Sequence, residues 1–494
     1  MVSKEITSLV VSDKQIDLDY KMVPYDLWGT RAHSAMLCHC TIIDKERAVL
    51  IFKALAKIEE IYSSGEFEID PALGAQLTLE KYLVELAGER AGLSVHTARS
   101  RNDQVMTAET LYIRERALNI IGASLKLQNT LLWLASEHKS TVMPGYTHMQ
   151  PAKPTTFAHF CLAAFDAFSR ANRSVLVTVK EFNRSPLGAV ESFGTSWPID
   201  REFSAKLLGF DGVWEIPQDA ISWRGLYQHS LLSNLNQYAL VISRLATDLL
   251  LYSTWEYNFL EAGDPVSERL HPITGSSVMA QKRNPDALEI LRSVAPQVSA
   301  AYQAVSGILA ALPCGYSRDS REIKQYAESG LSLVEKALSV LNLYFNSVRV
   351  NKERMKSAVE ENYSLTTDLA DYISFKSAAP YRRVYKVVGG LVNELISEGI
   401  LLRECGTERL QKTLSEAGID LDISAEDFKA VVDASSAITK RRHTGGTAHE
   451  IIESMIENRK AIINKQESET EKIRRKISEG RKLLKETINQ VVNW

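Results

Sequence analysis

The stretch Gly275-Ser276-Ser277-Val278-Met279-Ala280-Gln281-Lys282-Arg283-Asn284-Pro285-Asp286 combines a small, flexible turn with the start of a helix. Asn284 favours the N-cap, Pro285 the first helical position and Asp286 the first turn. Two cations directly precede this helix start. A helix N-terminus beside a lysine binds anions readily, and the nearby serines offer hydroxyls for proton transfer. The same composition also suits an ordinary interhelical loop with a well-formed cap.

Long segments without proline border the polar loops of this chain. Val105 to Met143 holds one glycine and repeats apolar residues at helical spacing, and Leu226 to Leu260 has neither glycine nor proline. A further long helix is predicted from Pro285 to about Leu312, kinked or divided at Pro296. Because a typical globular helix has about three turns, these segments predict an all-α fold built on an extended bundle.

Three regions are expected along the chain. Residues 1–108 are predicted to form an N-terminal, mostly helical domain, residues 109–360 the central long-helix bundle, and residues 361–494 a smaller helical C-terminal domain. The terminal stretch Lys465–Asn493 mixes charges of both signs with spaced apolar residues, which predicts an amphipathic helix.

Composition argues against several functions. The formal net charge of −3 offers no basic excess for nucleic acid. The N-terminus lacks an apolar signal core and no run of about 18 uncharged apolar residues occurs, so no membrane association is expected. The five cysteines are scattered and odd in number, which favours a reducing compartment, and we expect a cytoplasmic protein. Cys38-His39-Cys40 matches no standard zinc spacing, so no metal is expected.

Two further polar loops lie next to predicted helices. The run His96–Val105 holds two arginines among amide and hydroxyl side chains, a donor set suited to carboxylates. The run Gly145–Thr155 holds His148 between prolines. A lone loop histidine is usually a surface or packing residue, but one held between prolines beside a threonine and a glutamine is a candidate general acid or base.

These three blocks resemble the fumarase/aspartase superfamily, and within it the argininosuccinate lyase family. His96-Thr97-Ala98-Arg99-Ser100-Arg101-Asn102-Asp103-Gln104-Val105 is similar to that family's His-Thr-Gly-Arg-Ser-Arg-Asn-Asp-Gln-Val. Gly145-Tyr146-Thr147-His148-Met149-Gln150 is similar to its Gly-Tyr-Thr-His-Leu-Gln, and the stretch 275–286 resembles its Gly-Ser-Ser-x-Met-Pro-Gln-Lys-Lys-Asn-Pro-Asp. The likeness extends from about residue 26 to residue 450.

The resemblance implies a fumarase/aspartase-like helical bundle and a homotetramer whose active sites are assembled from blocks of three subunits. It implies a small dicarboxylate substrate and an anti elimination, most specifically of argininosuccinate to fumarate and arginine. This elimination needs no metal, nucleotide or redox cofactor. Removal of a proton beside a carboxylate forms a doubly charged aci-carboxylate, and Lys282, Asn284 and the helix start supply positive potential for it.

The resemblance also implies roles for single residues. Ser276, in a loop that closes on the substrate, is preferred as the base at carbon, and His148 as the acid toward the departing nitrogen, although the two roles can be reversed. Ser277 is the next candidate base. The implied catalytic residues are therefore Ser276, His148, Lys282 and Asn284, and the implied substrate-binding residues are Ser100, Arg101, Asn102, Thr147, Tyr316, Arg321 and Lys324.

Several positions depart from the family pattern. Ala98 replaces a glycine and Ala280 a proline, which changes the backbone freedom of two loops. Arg321 stands where a glutamine that contacts the amino-acid end is usual, Gln15 replaces a serine, and Ser222-Trp223-Arg224-Gly225 lacks two acids of the usual run. An added cation and lost acids disfavour a guanidinium-bearing leaving group.

These departures leave three alternatives. The first is a related lyase acting on another N-(1,2-dicarboxyethyl) amine, giving fumarate and a different amine. The second, from another functional class, is a catalytically silent structural protein, against which the presence of His148, Ser276, Lys282 and Asn284 argues. The third, an adenylosuccinate lyase, is less favoured because its first block differs.

Overall fold

The structure, a computed structural model, describes Ile6, Leu9, residues 11–264, Val266 and residues 276–493. Gly275, which opens the stretch quoted first, lies outside these residues. Helices make up most of the described chain: α1 (Asp13–His39), α2 (Lys45–Ser63), α3 (Ala75–Ala87), α4 (Glu89–Ser94), α5 (Arg101–Glu137), α6 (Phe157–Glu181), α7 (Arg201–Leu207), α8 (Pro217–Ser222), α9 (Leu226–Tyr252), α10 (Asp286–Arg292), α11 (Val294–Ala310), α12 (Ile323–Ser347), α13 (Lys352–Glu360), α14 (Thr366–Ser377), α15 (Tyr381–Glu398), α16 (Thr407–Glu416), α17 (Ala425–Val431), α18 (Ala434–Thr439) and α19 (His449–Val492).

Two short antiparallel pairs of strands accompany the helices in the part of the chain that the structure describes. Strand β1 (Val142–Thr147) pairs with β2 (Gln150–Thr156), and β3 (Leu260–Glu261) pairs with β4 (Arg349–Val350). The all-α prediction is confirmed. Within the described residues, no helix combines the length and the apolar character that crossing a bilayer requires.

The central bundle is formed by the longest helices. Helix α5 packs against α6 and α12, while α9 packs against α6, α11 and α12. Their buried faces carry leucine, isoleucine, valine and phenylalanine at helical spacing, which places one continuous apolar core between them. Helix α9 ends at Tyr252 rather than near Leu260, because Phe259 and Leu260 instead extend toward strand β4.

The helix start in the quoted stretch lies one residue later than predicted. Helix α10 begins at Asp286 with Pro285, not Asn284, at the N-cap, and no side chain caps it. The predicted division of the following helix is confirmed: α10 ends before Ser293 and α11 begins at Val294. Pro296 lies in the first turn of α11, where its missing N–H group is not needed.

The proline-containing segment after α5 is a β-hairpin, not the loop that the sequence predicts. Strands β1 and β2 pair from Val142 opposite Thr156 to Thr147 opposite Gln150, with an irregularity next to Gly145. A Cβ atom on Gly145 would lie 2.8 Å from the carbonyl oxygen of Lys153, so the close strand approach requires glycine. Proline is disfavoured inside sheets but tolerated in a two-stranded ribbon, whose outer edges are unpaired.

The C-terminal part contains a second apolar cluster, formed mainly by residues of α14–α18. The terminal helix α19 does not belong to it. It starts at His449 rather than Lys465, and its buried isoleucines, Ile452 to Ile477, pack into the main core. The predicted domain boundaries near residues 108 and 360 stay predictions, and α5 crosses the first of them.

Candidate active site

The N-terminus of α5 holds the first polar block in a fixed position. The Ser100 hydroxyl caps the helix by accepting from the backbone N–H of Asn102 (3.3 Å). The Asp103 carboxylate accepts from the N–H of Ser100 (3.0 Å) through Oδ1, and from the N–H groups of Gly188 (2.8 Å) and Val190 (3.0 Å) through Oδ2. Burial raises the pKa of Asp103 to about 6, while these backbone donors act in the opposite direction. One buried carboxylate therefore joins the block to the chain at residues 188–190.

A buried polar network supports the same block from behind. Gln104 donates to Asp26 Oδ1 (2.8 Å), and Arg99 donates to the Thr30 hydroxyl (2.9 Å). Burial raises the pKa of Asp26, and the nearby Arg99 counteracts this effect. Ala98, where the family pattern has glycine, has a φ of 56°, so the left-handed turn is kept at some cost in strain.

A cavity of about 150 Å³ opens next to the start of α5. It brings together most of the predicted substrate-binding residues, because the loop and 3₁₀ turn before α12 lie beside that helix start. The described residues that line it are Asp19, Gln76, Arg101, Asn102, Val105, Arg224, Tyr316, Arg318, Arg321 and Lys324. Small-molecule sites usually enclose about 300–1,000 Å³. The cavity is therefore smaller than a typical small-molecule site.

Two buried carboxylates hold three of the cations in the described lining of this cavity. Asp19 on α1 pairs with Arg321 (2.8 Å) through Oδ2 and with Lys324 through Oδ1. Glu109 on α5 pairs with Arg224 (2.6 Å) and lies 3.8 Å from Lys324. Both acids are less than 5% exposed. The site therefore keeps two carboxylates of its own, although residues 222–225 lack the two acids of the family pattern.

Sequence reasoning missed Asp19, Glu109 and the cavity position of Arg224. A signal was present on α1, where Asp19 and Asp26 stand seven residues apart and both are buried. Acids on the buried face of a helix need partners, so this spacing indicated a polar site. Gln15, on the same helix, donates to the Arg321 carbonyl oxygen and to Glu322, each at 3.4 Å. It therefore touches the loop that carries the predicted substrate-binding residues.

His148 lies at the tip of the β1–β2 hairpin and is exposed. His148 and Met149 form the two-residue turn with φ angles of 54° and 61°, both in the left-handed region. A tight hairpin needs positive φ at both positions, which side chains other than glycine and asparagine resist. Both His148 and the neighbouring Thr147 are exposed at this strained turn.

The third block lies at the start of α10. Ser276 is half-buried, and its Oγ accepts from the N–H groups of Val278 (3.3 Å) and Met279 (2.9 Å). Lys282 is exposed and Asn284 half-buried. Arg283 pairs with Glu261 (2.7 Å) and with Asp264, which anchors the block to the segment after α9.

A single chain thus brings together five of the seven predicted substrate-binding residues, and Ser100 caps the helix beside them. The described lining of the cavity contains none of the remaining predicted residues, Thr147, His148, Ser276, Lys282 and Asn284. Among the described residues, no group of three or more histidine, cysteine, aspartate or glutamate side chains is arranged to hold a metal ion. The expectation of a reaction without a cofactor stays a prediction.

Comparison with known proteins gives matches along nearly the whole chain. A family model described as Lyase matches residues 10–300, and one described as Argininosuccinate lyase C-terminal matches residues 363–439. An argininosuccinate lyase of Streptococcus gordonii is 36% identical over 450 residues, which cover 91% of this chain and 94% of that protein. The argininosuccinate lyase of Listeria monocytogenes is 36% identical over 449 residues, covering 91% and 95%.

Solved structures share the fold. A crystal structure of EDDS lyase in complex with formate has a TM-score of 0.86 and 25% identity, and the match covers 100% of this chain and 97% of that one. A crystal structure of a fumarate lyase from Mesorhizobium sp. BNC1 has a TM-score of 0.73 and 16% identity, covering 91% and 98%.

Proposed function

Because this chain belongs to the argininosuccinate lyase family of the fumarase/aspartase superfamily, we propose that it cleaves the C–N bond of argininosuccinate by anti elimination, releasing fumarate and arginine. The observation that carries the proposal is the cationic cavity at the start of α5. There Arg101, Asn102, Tyr316 and Lys324 lie together, as a site for the carboxylates of a succinyl group requires.

The chemistry follows from the charge that develops during the reaction. Ser276, as its alkoxide, removes the proton from the carbon next to a carboxylate, and the electrons of that C–H bond move into the carboxylate to form the doubly charged aci-carboxylate. These electrons then form the new double bond as the C–N bond breaks. The nitrogen leaves with its electron pair and takes a proton from His148. Lys282 and Asn284 stabilise the doubly charged aci-carboxylate in between. In the reverse assignment, His148 removes the proton from carbon and Ser276 protonates the departing nitrogen.

The proposal includes a homotetramer with active sites shared between subunits. The small cavity and the exposed His148 and Lys282 support it, because a catalytic histidine on a solvent-exposed hairpin needs another surface to complete its site. Exposed apolar side chains on the central helices offer such a surface; they include Trp133, Val177, Leu240, Ile290 and Leu343. A cytoplasmic location, expected from the scattered cysteines, belongs to the same proposal.

A related lyase for another N-(1,2-dicarboxyethyl) amine is the second candidate. Two observations favour it: Arg321 replaces the usual glutamine inside the cavity, and EDDS lyase matches the full length of this chain. The reverse reaction separates the candidates. Fumarate consumption with arginine supports the first, whereas consumption only with other amines from a panel supports the second.

The absorbance of fumarate tests the elimination directly. Argininosuccinate is expected to release fumarate, and His148→Asn and Ser276→Ala are each expected to lower kcat by roughly 10²–10⁴-fold, as loss of a general acid or base does. The matched controls His449→Asn and Ser415→Ala alter exposed side chains of α19 and α16 and should retain activity. Unchanged turnover in His148→Asn would instead indicate a catalytically silent structural protein.

A further inference from the structure

Arg283 attaches the third polar block to the segment that follows α9. Its Nη1 donates to Glu261 Oε1 at 2.7 Å, and its Nη2 donates to Asp264 Oδ1. The guanidinium is 14% exposed, although the two carboxylates are 44% and 65% exposed. A guanidinium presents its N–H groups in a planar fork, so it can hold two carboxylates at once in a fixed orientation. The family pattern has lysine at this position, and an ammonium group lacks that fixed geometry.

The segment that carries the two carboxylates is itself fixed to the end of α12. Glu261 lies in strand β3, which pairs with β4, and the N–H group of Asn351 donates to the Phe259 carbonyl oxygen at 2.9 Å. Gly263 approaches the last residue of α12 so closely that an added Cβ would lie 2.4 Å from the carbonyl oxygen of Ser347. The two carboxylates therefore offer Arg283 a support that belongs to the bundle.

Hydrogen bonds within the third block connect Arg283 to the proposed base. The Ser276 hydroxyl accepts from the N–H group of Met279 at 2.9 Å, and the Met279 carbonyl oxygen accepts from the N–H group of Lys282 at 3.1 Å. Lys282 and Asn284 directly precede and follow Arg283 in the chain. A change in the position of Arg283 therefore shifts all three proposed catalytic residues of this block.

We propose that Arg283, held by Glu261 and Asp264, is a positioning residue for catalysis. It fixes the proposed base and the two side chains that stabilise the aci-carboxylate, and it acts through these neighbours without touching the substrate. The inference rests on the proposed elimination and adds a residue on which turnover depends. Because the cavity at the start of α5 binds carboxylates through other residues, substrate binding should be largely independent of Arg283.

Steady-state release of fumarate from argininosuccinate tests this role. Arg283→Gln should lower kcat roughly 10- to 100-fold, since a misplacement of about 1 Å can cost this much. KM should change by less than about threefold, because the carboxylate-binding cavity is unaltered. Arg283→Lys, which keeps one ion pair, should give an intermediate kcat. In each case kcat is expressed per folded enzyme, with the folded fraction taken from circular dichroism, so that a loss of stability alone does not lower it.

Variants of the two carboxylates test the same contact from the other side. Glu261→Gln and Asp264→Asn should each lower kcat, by less than Arg283→Gln does. Both side chains are exposed, so these variants report on the contact even where Arg283→Gln folds poorly. Glu261→Gln combined with Arg283→Gln should lower kcat no further than Arg283→Gln alone, because the contact is already lost.

Arg349→Gln is the matched control. Arg349 lies 3.8 Å from Glu261 and 3.7 Å from Asp264 and is 61% exposed, but it belongs to β4 and not to the third block. Its replacement changes the charge beside the same carboxylates without releasing the block. The kcat of this variant should therefore stay within about threefold of the unaltered value, as expected for a weak, exposed ion pair.

Three results would overturn the inference while the elimination stands. The first is an equal kcat per folded enzyme in the unaltered protein and Arg283→Gln, and the second is a loss that appears in KM rather than in kcat. The third is a loss in Arg349→Gln as large as that in Arg283→Gln, which would assign the effect to the charge of the cluster. Failure of the unaltered enzyme to release fumarate from argininosuccinate and to consume it with any amine refutes the proposed function itself.

Discussion

Asp103 is the residue on which the geometry of the first polar block depends. Its carboxylate accepts three backbone N–H groups from two separate parts of the chain while almost fully buried. Such a group links stability to pH, because burial raises its pKa in the folded protein to about 6 from an ordinary value near 3.8.

This linkage gives a prediction for Asp103→Asn. Between about pH 4 and 6 the folded protein holds a proton on Asp103 more tightly than the unfolded chain does, so this residue's contribution to the free energy of unfolding rises as pH falls. The variant has no such titration. The stability of the unaltered protein relative to the variant should therefore increase by roughly 1 kcal/mol from pH 7 to pH 5. Chemical denaturation at both pH values measures it, and a constant difference would contradict the assigned pKa shift.

The sequence predicted the cavity residues that belong to a short recognisable motif. It missed the residues whose role depends on contacts with distant parts of the chain. Arg101, Asn102 and Tyr316 stand in recognisable blocks and do line the cavity. Asp19 and Glu109 lie on long helices and belong to no such motif. Only the folded structure shows that both are buried and that they pair with cations from distant parts of the chain.

Helix α19 is the element whose role the sequence did not indicate. Its Arg481 pairs with Glu115 (2.8 Å) and lies over the Trp28 ring at 4.1 Å. Gly480 meets Gly209 so closely that an added Cβ would lie 2.6 Å from the Gly209 nitrogen. The terminal helix is therefore packed onto α1, α5 and the turn after α7, as an integral part of the main core.

Adding one methyl group where Gly480 meets Gly209 tests how closely α19 packs against the turn after α7. Gly480→Ala should lower the free energy of unfolding by about 1–3 kcal/mol, because backbone lies on the other side and cannot move aside as a side chain can. Gly390→Ala, in α15 with nothing within 4 Å of the added atom, should instead stabilise by about 0.5–1 kcal/mol through helix propensity. Denaturant unfolding of both variants measures these changes in the free energy of unfolding. Similar effects of both substitutions would show that Gly480 and Gly209 are not in close contact.

The period of apolar residues predicted the central helices well but not the elements whose boundaries depend on other parts of the chain. The start of α5 differs from the predicted Val105 by four residues, since the capping box of Ser100 and Asp103 extends the helix into the polar block. The β1–β2 hairpin was hidden because Pro144, Pro151 and Pro154 usually indicate a loop.

In the proposed homotetramer, one chain supplies only part of each active site. The cavity contains the cations for the substrate's carboxylates, whereas His148 is exposed at a hairpin tip and Lys282 at the start of another helix. The sequence predicted these residues through their blocks. It did not predict which of them a single chain brings together, because that depends on the path of the chain in the folded protein.

Hybrid enzymes test whether subunits share their active sites. Two variants, His148→Asn and Ser276→Ala, each expected to be inactive, are co-expressed with different affinity tags, and assemblies that carry both tags are purified. If residues 148 and 276 of one active site come from different subunits, about a quarter of the sites in an even mixture receive both unaltered residues. We predict that the hybrids regain about a quarter of the unaltered kcat for fumarate release. Hybrids as inactive as their two parents would show that residues 148 and 276 of one active site do not come from different subunits.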